Sequence, residues 1–206
     1  MPVAPMFPLG SVLVPGMVLP LHVFEPRYRR LVHDCLGGDG EFGVVLIERG
    51  SEVGGGDVRT GAGTMARILR VDQLPGGRFA VTAVGLRRIR VERWLPDDPY
   101  PRAEVADWPD EDGDAAVAAG ALAEAAVLLR RVAALRAELG EPAPPLDVDL
   151  AADVRVGGHQ ATALAPLGPA DKQSLLCAPT AQVRAEMVRD LLAEQLELLR
   201  ARLAAG

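Results

Sequence analysis

The nucleophilic side chains of this sequence stand at spacings that do not favour catalysis. Ser174 follows Lys172, the single lysine, by two residues, and side chains at that spacing do not face each other on a helix. His33 and Cys35 are separated by a single residue, and no distant residue that would orient the histidine is recognisable. We therefore predict no catalytic residues and do not expect an enzyme.

Phosphate, metal and cofactor sites are not predicted either. A phosphate-binding loop needs glycines followed by Lys and then Ser or Thr, whereas the glycine-rich residues 49–63 contain no lysine. We interpret that segment as a mobile loop. The three histidines and two cysteines are scattered and lack metal-ligand spacing. We expect neither a metal ion nor a cofactor.

Four arginines close together on one predicted strand make RNA binding an alternative function. They are Arg87, Arg88, Arg90 and Arg93. Guanidinium groups can neutralise RNA phosphates, but residues 1–107 carry 13 basic and 13 acidic side chains, which leaves no positive excess. Aromatic residues for base stacking make up only 4% of the chain. A solvated strand face is the competing interpretation, and we do not expect nucleic acid as the partner.

The most distinctive stretch, residues 6–31, combines apolar residues with a polar and aromatic series. Its apolar side chains could line a groove for a peptide, or they could belong to the core. These side chains are Met17, Leu19, Leu21 and Phe24.

Glu25, Arg27 and Tyr28 follow at the start of a predicted helix, where Pro26 suits the first turn. They could form a recognition surface, or an ion pair and an aromatic plug that hold the helix in place. We take these three and the four apolar residues before them as candidate peptide-binding residues.

Composition indicates an ordinary globular protein. Of 206 residues, 49% are apolar and 24% charged. No apolar run approaches the ~20 residues that span a bilayer. No basic residue precedes Arg27, so the apolar N-terminal region does not resemble a secretory signal. We expect a cytoplasmic protein without a membrane partner.

Patterning predicts an α+β chain with a boundary near Pro109. Residues 1–109 contain short strands and one early helix, which suggests a partly closed β-barrel. The predicted strands include residues 12–14 before a Pro-Gly turn, and a bulge is expected near Arg87 and Arg88. In residues 110–206, four acidic side chains precede a long helix, and three more helical segments follow. These helices are predicted to form a bundle.

The opening stretch resembles a known family. The motif P-L-x-V-F-E-P-R-Y, preceded by F-P-L and P-G-M, is similar to the start of the N-terminal substrate-binding domain of Lon-type ATP-dependent proteases. The motifs F-G-V-V-L-I, G-T-x-A-R-I, L-P-G-G-R-F, G-L-R-R-I-R-V and Y-P-R-A-E-V follow in that domain's order. L-x-P-L-x-P-A-D-K-Q-x-L-L-x-A-P resembles its closing portion.

This resemblance implies a PUA-like barrel followed by a helical bundle, in a stand-alone copy of the domain. It implies a non-catalytic module that binds unfolded or degron-bearing polypeptides, or a protease or chaperone component. Without ATPase motifs and the Ser–Lys protease domain, such a module would act as an adaptor or regulator in protein quality control. The resemblance leaves the oligomeric state open.

Overall fold

The structure is a computed structural model that describes residues 2–52 and 56–205, and the chain divides into two compact units, Met1–Pro109 and Asp110–Gly206. The strands of the first unit are β1 (Val3–Leu9), β2 (Val18–Val23), β3 (Glu41–Arg49), β4 (Val58–Leu74), β5 (Arg78–Leu95) and β6 (Arg102–Asp107). Its helix is α1 (Pro26–Leu36). The helices of the second unit are α2 (Ala115–Glu138), α3 (Val154–Leu164), α4 (Pro169–Leu176) and α5 (Ala181–Ala205). The predicted α+β fold class is confirmed.

Five strands of the first unit close into a barrel. β1 pairs parallel with β3, and the remaining pairs β3–β4, β4–β5, β5–β6 and β6–β1 are antiparallel and complete the ring. β2 pairs antiparallel with the first part of β5 and lies at the end of the strand order. Within the described residues, its other edge therefore has no neighbouring strand.

β5 is long because it pairs with the edge strand β2 and also with the barrel strands β4 and β6. Its first part lies between β2 and β4, and its second part lies between β4 and β6. The pairing with β4 shifts between Ala66–Gly85 and Met65–Arg87, which leaves Leu86 as the extra residue of a bulge. A bulge bends a strand and increases its twist, as this change of neighbours requires. The bulge lies one residue before the predicted position.

Both faces of β1 and β3 are buried, and this explains why they are almost continuously apolar. Met6 and Val45 lie in a cluster inside the barrel, whereas the adjacent Phe7 and Val44 pack in a second cluster that includes α1. Successive side chains of a strand point to opposite faces, so each strand supplies both clusters. Gly43 has no room for a side chain, since a Cβ there would lie 2.5 Å from Met6 Sδ.

Two predicted segments of the first unit differ from the structure. Residues 12–14 are buried but do not form a strand, and the first strand is Val3–Leu9. The Leu13 carbonyl accepts a hydrogen bond from the Thr64 hydroxyl at 2.6 Å, and, within the described residues, not from a neighbouring strand's backbone. The predicted loop over residues 49–63 is too long, because β4 already begins at Val58. Residues 53–55 of that loop lie outside the described residues.

The second unit is built on the two long helices α2 and α5. Their apolar faces pack together with α3 and α4 in one buried cluster, which includes Ala125, Leu129, Val188 and Leu192. Gly157 allows α3 to approach closely, because a Cβ there would lie 2.5 Å from both the Ala151 carbonyl oxygen and Leu122 Cδ2. No helix in the described ranges is long and apolar enough to cross a membrane.

The acidic segment before α2 has two functions in the second unit. Asp114 is the N-cap of α2, and its side chain accepts hydrogen bonds from the N–H groups of Ala116 and Val117 at 2.9 and 3.1 Å. Asp110 instead pairs with the fully buried Arg184, whose Nη1 donates to Asp110 Oδ2 at 3.0 Å. A buried guanidinium needs such a partner, since an unpaired charge in the interior is strongly destabilising.

Both tyrosines of the chain should ionise at unusually high pH. Burial raises the pKa of Tyr28 and of Tyr100 to about 12, and the Tyr100 hydroxyl also donates to Asp34 Oδ2 at 2.9 Å. The folded state holds these protons more tightly than the unfolded state, so the free energy of unfolding is unaffected below about pH 10 and falls as the pH rises towards 12. Ultraviolet titration of the phenolate should show no step near pH 10 in the native chain and a full step in denaturant. A native step near pH 10 would contradict this assignment.

Removing Asp110 should destabilise the second unit strongly. Asp110→Ala leaves Arg184 buried without its carboxylate, and we expect a loss of about 3–5 kcal/mol in the free energy of unfolding by denaturant titration. Glu197→Ala is the matched control, because Glu197 pairs with Arg200 on the exposed surface. It should cost less than about 1 kcal/mol. Equal losses in the two variants would show that the buried pair contributes no more than a surface pair.

Candidate peptide-binding groove

A tight turn places the start of β2 against β5. Pro15 and Gly16 are its central residues, and Gly16 has a positive φ of 81°, a conformation that glycine adopts without strain. The Gly16 N–H donates to the Gly85 carbonyl at 2.8 Å, and the Gly85 N–H donates to the Met17 carbonyl at 2.9 Å. A Cβ at Gly85 would lie 2.5 Å from the Val14 carbonyl oxygen. The two glycines therefore fix where β2 begins.

β2 alternates between buried and exposed side chains. Leu19 and Val23 are buried, and Leu21 is half-buried against the same cluster. The intervening residues are exposed: Val18, Pro20 and His22.

The backbone of the same exposed residues faces the free edge. The Met17 carbonyl points towards β5, and polar groups alternate in direction along a strand, so those of Val18, Pro20 and His22 point away from β5. Pro20 fits this position because proline in a sheet is confined to edges where no N–H is needed.

A cavity of about 340 Å³ lies beside β2. Side chains of β1, β2 and the segment leading into α1 form its apolar wall, and the polar lining residues carry two carboxylates, two hydroxyls and an imidazole. The lining residues are Phe7, Leu9, Ser11, Leu19, Pro20, Leu21, His22, Val23, Phe24, Glu25, Tyr28 and Glu52. We call this cavity, together with the free edge of β2, the β2 groove.

Arg27 and Tyr28 hold one end of the groove in place. Tyr28 is buried and stacks on Phe7 with 4.1 Å between ring centroids. The Arg27 guanidinium lies 4.5 Å from the Tyr28 centroid, and its Nε pairs with Glu25 Oε2 at 3.1 Å. Its Nη2 also donates to the Glu52 carbonyl at 3.3 Å. These contacts are the ion pair and aromatic plug considered above, and Tyr28 and Glu25 line the groove as well.

The structure brings most of the candidate residues together. Leu19, Leu21, Phe24, Glu25 and Tyr28 line the cavity, whereas Met17 and Arg27 do not. Sequence reasoning missed seven lining residues: Phe7, Leu9, Ser11, Pro20, His22, Val23 and Glu52. Phe7 and Leu9 are two residues apart and so share one face of a strand, and this spacing was the available signal for them. No local signal connects the position of Glu52 to β2.

The four arginines of the alternative RNA site contact groups of the protein itself. Arg87 pairs with Glu41 at 2.8 Å and with Asp107 at 2.7 Å, and Arg93 pairs with Glu104. Arg88 is buried, and its guanidinium and that of Arg90 lie 4.7 and 4.3 Å from the Trp108 ring centroid. This arrangement does not present a free basic face and gives the RNA alternative no support.

The side chains considered for catalysis donate hydrogen bonds to backbone carbonyls. Burial raises the pKa of the Cys35 thiol to about 12, and the thiol donates to the Glu41 carbonyl at 3.3 Å. Lys172 Nζ donates to the Ala163 carbonyl at 3.0 Å, and burial lowers its pKa. Ser174 donates to the Ala170 carbonyl at 3.1 Å. A thiol that stays protonated near neutral pH is a poor nucleophile.

Comparison with known proteins places the chain in one family. The model of the ATP-dependent protease La (LON) substrate-binding domain matches residues 3–194. Lon protease 2 of Sorangium cellulosum is 31% identical over 95% of this chain, and Lon protease 2 of Myxococcus xanthus is 30% identical over 96%. The chain spans about a quarter of the length of these curated relatives.

Two solved structures extend the comparison to three dimensions. The Lon N-terminal domain protein from Xanthomonas campestris has a TM-score of 0.65 and 31% identity, with 94% of this chain and 98% of that chain covered. The N-terminal domain of Mycobacterium avium complex Lon protease has a TM-score of 0.70, with 93% and 98% covered, and at 19% identity it supports the fold alone. The chain therefore belongs to the family of Lon substrate-binding domains, the non-catalytic part of those relatives that it matches.

Proposed function

We propose that the first unit binds extended segments of unfolded or degron-bearing polypeptide in the β2 groove. The observation that carries this proposal is the combination of a free strand edge with a cavity beside it that has an apolar wall and a polar lining. An added strand gains affinity from main-chain hydrogen bonds, and a pocket beside it selects side chains. Membership of a substrate-binding family supports a binding role for this module.

The edge of β2 offers a limited set of hydrogen-bonding groups. Val18 and His22 can each provide an N–H and a carbonyl, and Pro20 provides only a carbonyl. Each net main-chain hydrogen bond contributes about 0.5–1.5 kcal/mol, so the edge alone supports weak and reversible binding. Weak binding that ignores side chains suits a module that must accept many different polypeptides.

Apolar contact would supply the remaining affinity. Phe24 and Val18 are 49% and 53% exposed beside the groove. A leucine or phenylalanine of the bound segment that seats in the cavity would cover these surfaces. Full burial of such a side chain is favourable by about 1.5–3 kcal/mol.

In the cell, the module would act as an adaptor or regulator in protein quality control. It would hold a polypeptide for a protease or chaperone component, as the substrate-binding portion of a larger assembly. The match to the Lon substrate-binding domain supports the binding part of this proposal.

Replacing Phe24 should weaken peptide binding without affecting the fold. The probe is a short fluorescein-labelled peptide with Leu-Phe-Leu at its centre and Ser, Thr and Gly on both sides. Phe24→Ser removes half-exposed apolar surface from the groove, and fluorescence anisotropy should show an affinity about fivefold lower, or about 1 kcal/mol. Leu69→Ser is the matched control, since Leu69 is 59% exposed and does not line the groove. Equal effects of the two variants, or no binding by the native chain, would overturn the groove as the binding site.

If the peptide pairs with the edge of β2, its affinity should depend on every second peptide N–H, namely those that face β2. We expect N-methylation of the amides that face β2 to lower the affinity about tenfold, because it removes the donors and introduces a steric clash. N-methylation of the other alternate set should have little effect, because those amides point towards water. Anisotropy titrations of the two methylated peptides test this directly. Similar losses for both sets would exclude strand addition and leave apolar contact alone.

A further inference from the structure

A second cavity lies on the other side of the corner where β2 leads into α1. It is an open cleft of about 380 Å³, lined by Pro26, Arg29, Arg30, His33 and Phe79. None of these five residues is acidic, and two are arginines. The β2 groove, in contrast, is lined by the carboxylates of Glu25 and Glu52.

Arg29 is held in this cleft without a carboxylate of its own. Its Nη2 lies against the hairpin turn between β4 and β5, where a Cβ at Gly77 would be only 2.5 Å away. Its Nε is buried and finds no hydrogen-bond acceptor within residues 2–52 and 56–205. The neighbouring Arg30, in contrast, pairs with Asp34 at 2.9 Å. Arg29 therefore supplies a positive charge that the described part of the protein does not compensate.

The cleft and the β2 groove are immediate neighbours. Glu25 lines the groove and Pro26 lines the cleft. Val23 of the groove and Phe79 of the cleft are paired across β2 and β5, which places their Cα atoms about 5 Å apart. The free edge of β2 faces away from β5, so a segment paired with that edge would have to pass the end of β2 at Val23 to reach the cleft. A few residues of extended polypeptide, at about 3.3 Å each, can span this distance.

We propose that this cleft binds an acidic side chain of the polypeptide held in the β2 groove. The proposal rests on the proposed function and names the chemistry of the bound segment: an apolar residue followed or preceded, within a few positions, by Asp or Glu. A carboxylate is the group that Arg29 lacks, and guanidinium–carboxylate hydrogen bonds are stronger than neutral ones. Pro26 and Phe79 provide apolar walls for the methylene groups of the acidic side chain.

The opposite charges of the two sites would also orient the polypeptide. Glu52 disfavours an acidic residue in the groove, whereas Arg29 favours one in the cleft. Glu25 and Arg30 contribute less, because they are already paired with Arg27 and Asp34. A segment with apolar and acidic residues in the reverse order along the strand would place like charges together. Like-charge contacts of this kind are a common source of specificity in binding.

The test compares six labelled peptides that share the Leu-Phe-Leu centre: three kinds of flank, each in two placements. The flank contains a pair of Asp, Asn or Lys residues, placed on each side of the centre in turn. For one of the two placements we expect the Asp peptide to bind about fivefold more tightly than the Asn peptide, which corresponds to about 1 kcal/mol. The Lys peptide should bind less tightly than the Asn peptide. Raising the salt concentration should reduce the advantage of the Asp peptide, because the cleft is open to solvent.

Variants of Arg29 distinguish binding of the acidic side chain in the cleft from a general effect of the protein's charge. Arg29→Gln should remove the advantage of the Asp peptide and leave the affinity for the Asn peptide unchanged, whereas Arg29→Lys should retain part of the advantage. Arg131→Gln is the matched control, because it removes the same charge from an exposed position on α2 and should retain the full advantage. Circular dichroism and the unfolding midpoint verify that each variant is folded.

Each outcome assigns success or failure to a particular site. Equal affinity of the native chain for the Asp and Asn peptides, or an advantage that persists in Arg29→Gln, overturns the cleft and leaves the groove intact. If the Asn peptide does not bind, the groove is overturned, and a peptide with Ser in place of Leu-Phe-Leu and with the Asp pair retained tests the cleft alone. Binding of that peptide that depends on Arg29 supports the cleft, and no binding overturns both sites.

Discussion

The arrangement of the first unit depends on the bulge of β5 at Leu86. Before the bulge, β5 pairs with β2 and β4, and after it β5 pairs with β4 and β6. A regular strand could not turn from one set of neighbours to the other within so few residues. Gly85, directly before the bulge, lets the Val14 carbonyl approach and bonds to the turn that starts β2. The closure of the barrel and the position of the groove therefore have the same local cause.

This constraint explains why the unit has a free edge at all. Ring closure pairs β1, β3, β4 and β6 on both sides, so these strands offer little backbone to a partner. β2 is the additional strand, attached only to the part of β5 before the bulge. Its proline and its length of only six residues are features that limit self-association of edge strands. The same features leave enough backbone for a single extended segment to pair.

Sequence patterns predicted the elements of this fold well where residue types have strong local preferences, and failed for the short apolar run of residues 12–14. The helix starting at Pro26 and the hairpin turn at Gly76 and Gly77 follow from residue types with strong local preferences, and both glycines indeed have positive φ. The first strand was placed too late, at residues 12–14, because an apolar run by itself does not distinguish a buried strand from a buried irregular segment. The partner of the Leu13 carbonyl is the hydroxyl of Thr64, which is distant in sequence and donates a hydrogen bond to it.

The candidate groove was predictable in part, and for a related reason. Leu19, Leu21 and Phe24 were found because they are apolar and lie in one distinctive stretch of sequence. Glu52 was missed, because its place at the groove depends on the path of the chain after β3 and not on its neighbours in sequence. The uncompensated charge of Arg29 could not be inferred either. In the sequence it stands between Arg27 and Arg30, and only the structure shows that these two arginines have carboxylate partners, Glu25 and Asp34.

Arginines that are paired with a carboxylate of the protein differ from Arg29 in what they can offer a ligand. Arg27, Arg87 and Arg93 each have a carboxylate within hydrogen-bonding distance, and removing such a partner would leave a charge that the protein must solvate again. Arg29 is different, since it has no carboxylate partner within the described residues, and a carboxylate that entered the cleft would pair with the exposed part of its guanidinium. A basic side chain that gains a partner only on binding contributes more to recognition than one already paired. For this reason the cleft, rather than the arginine-rich part of β5, is where charge would select the polypeptide.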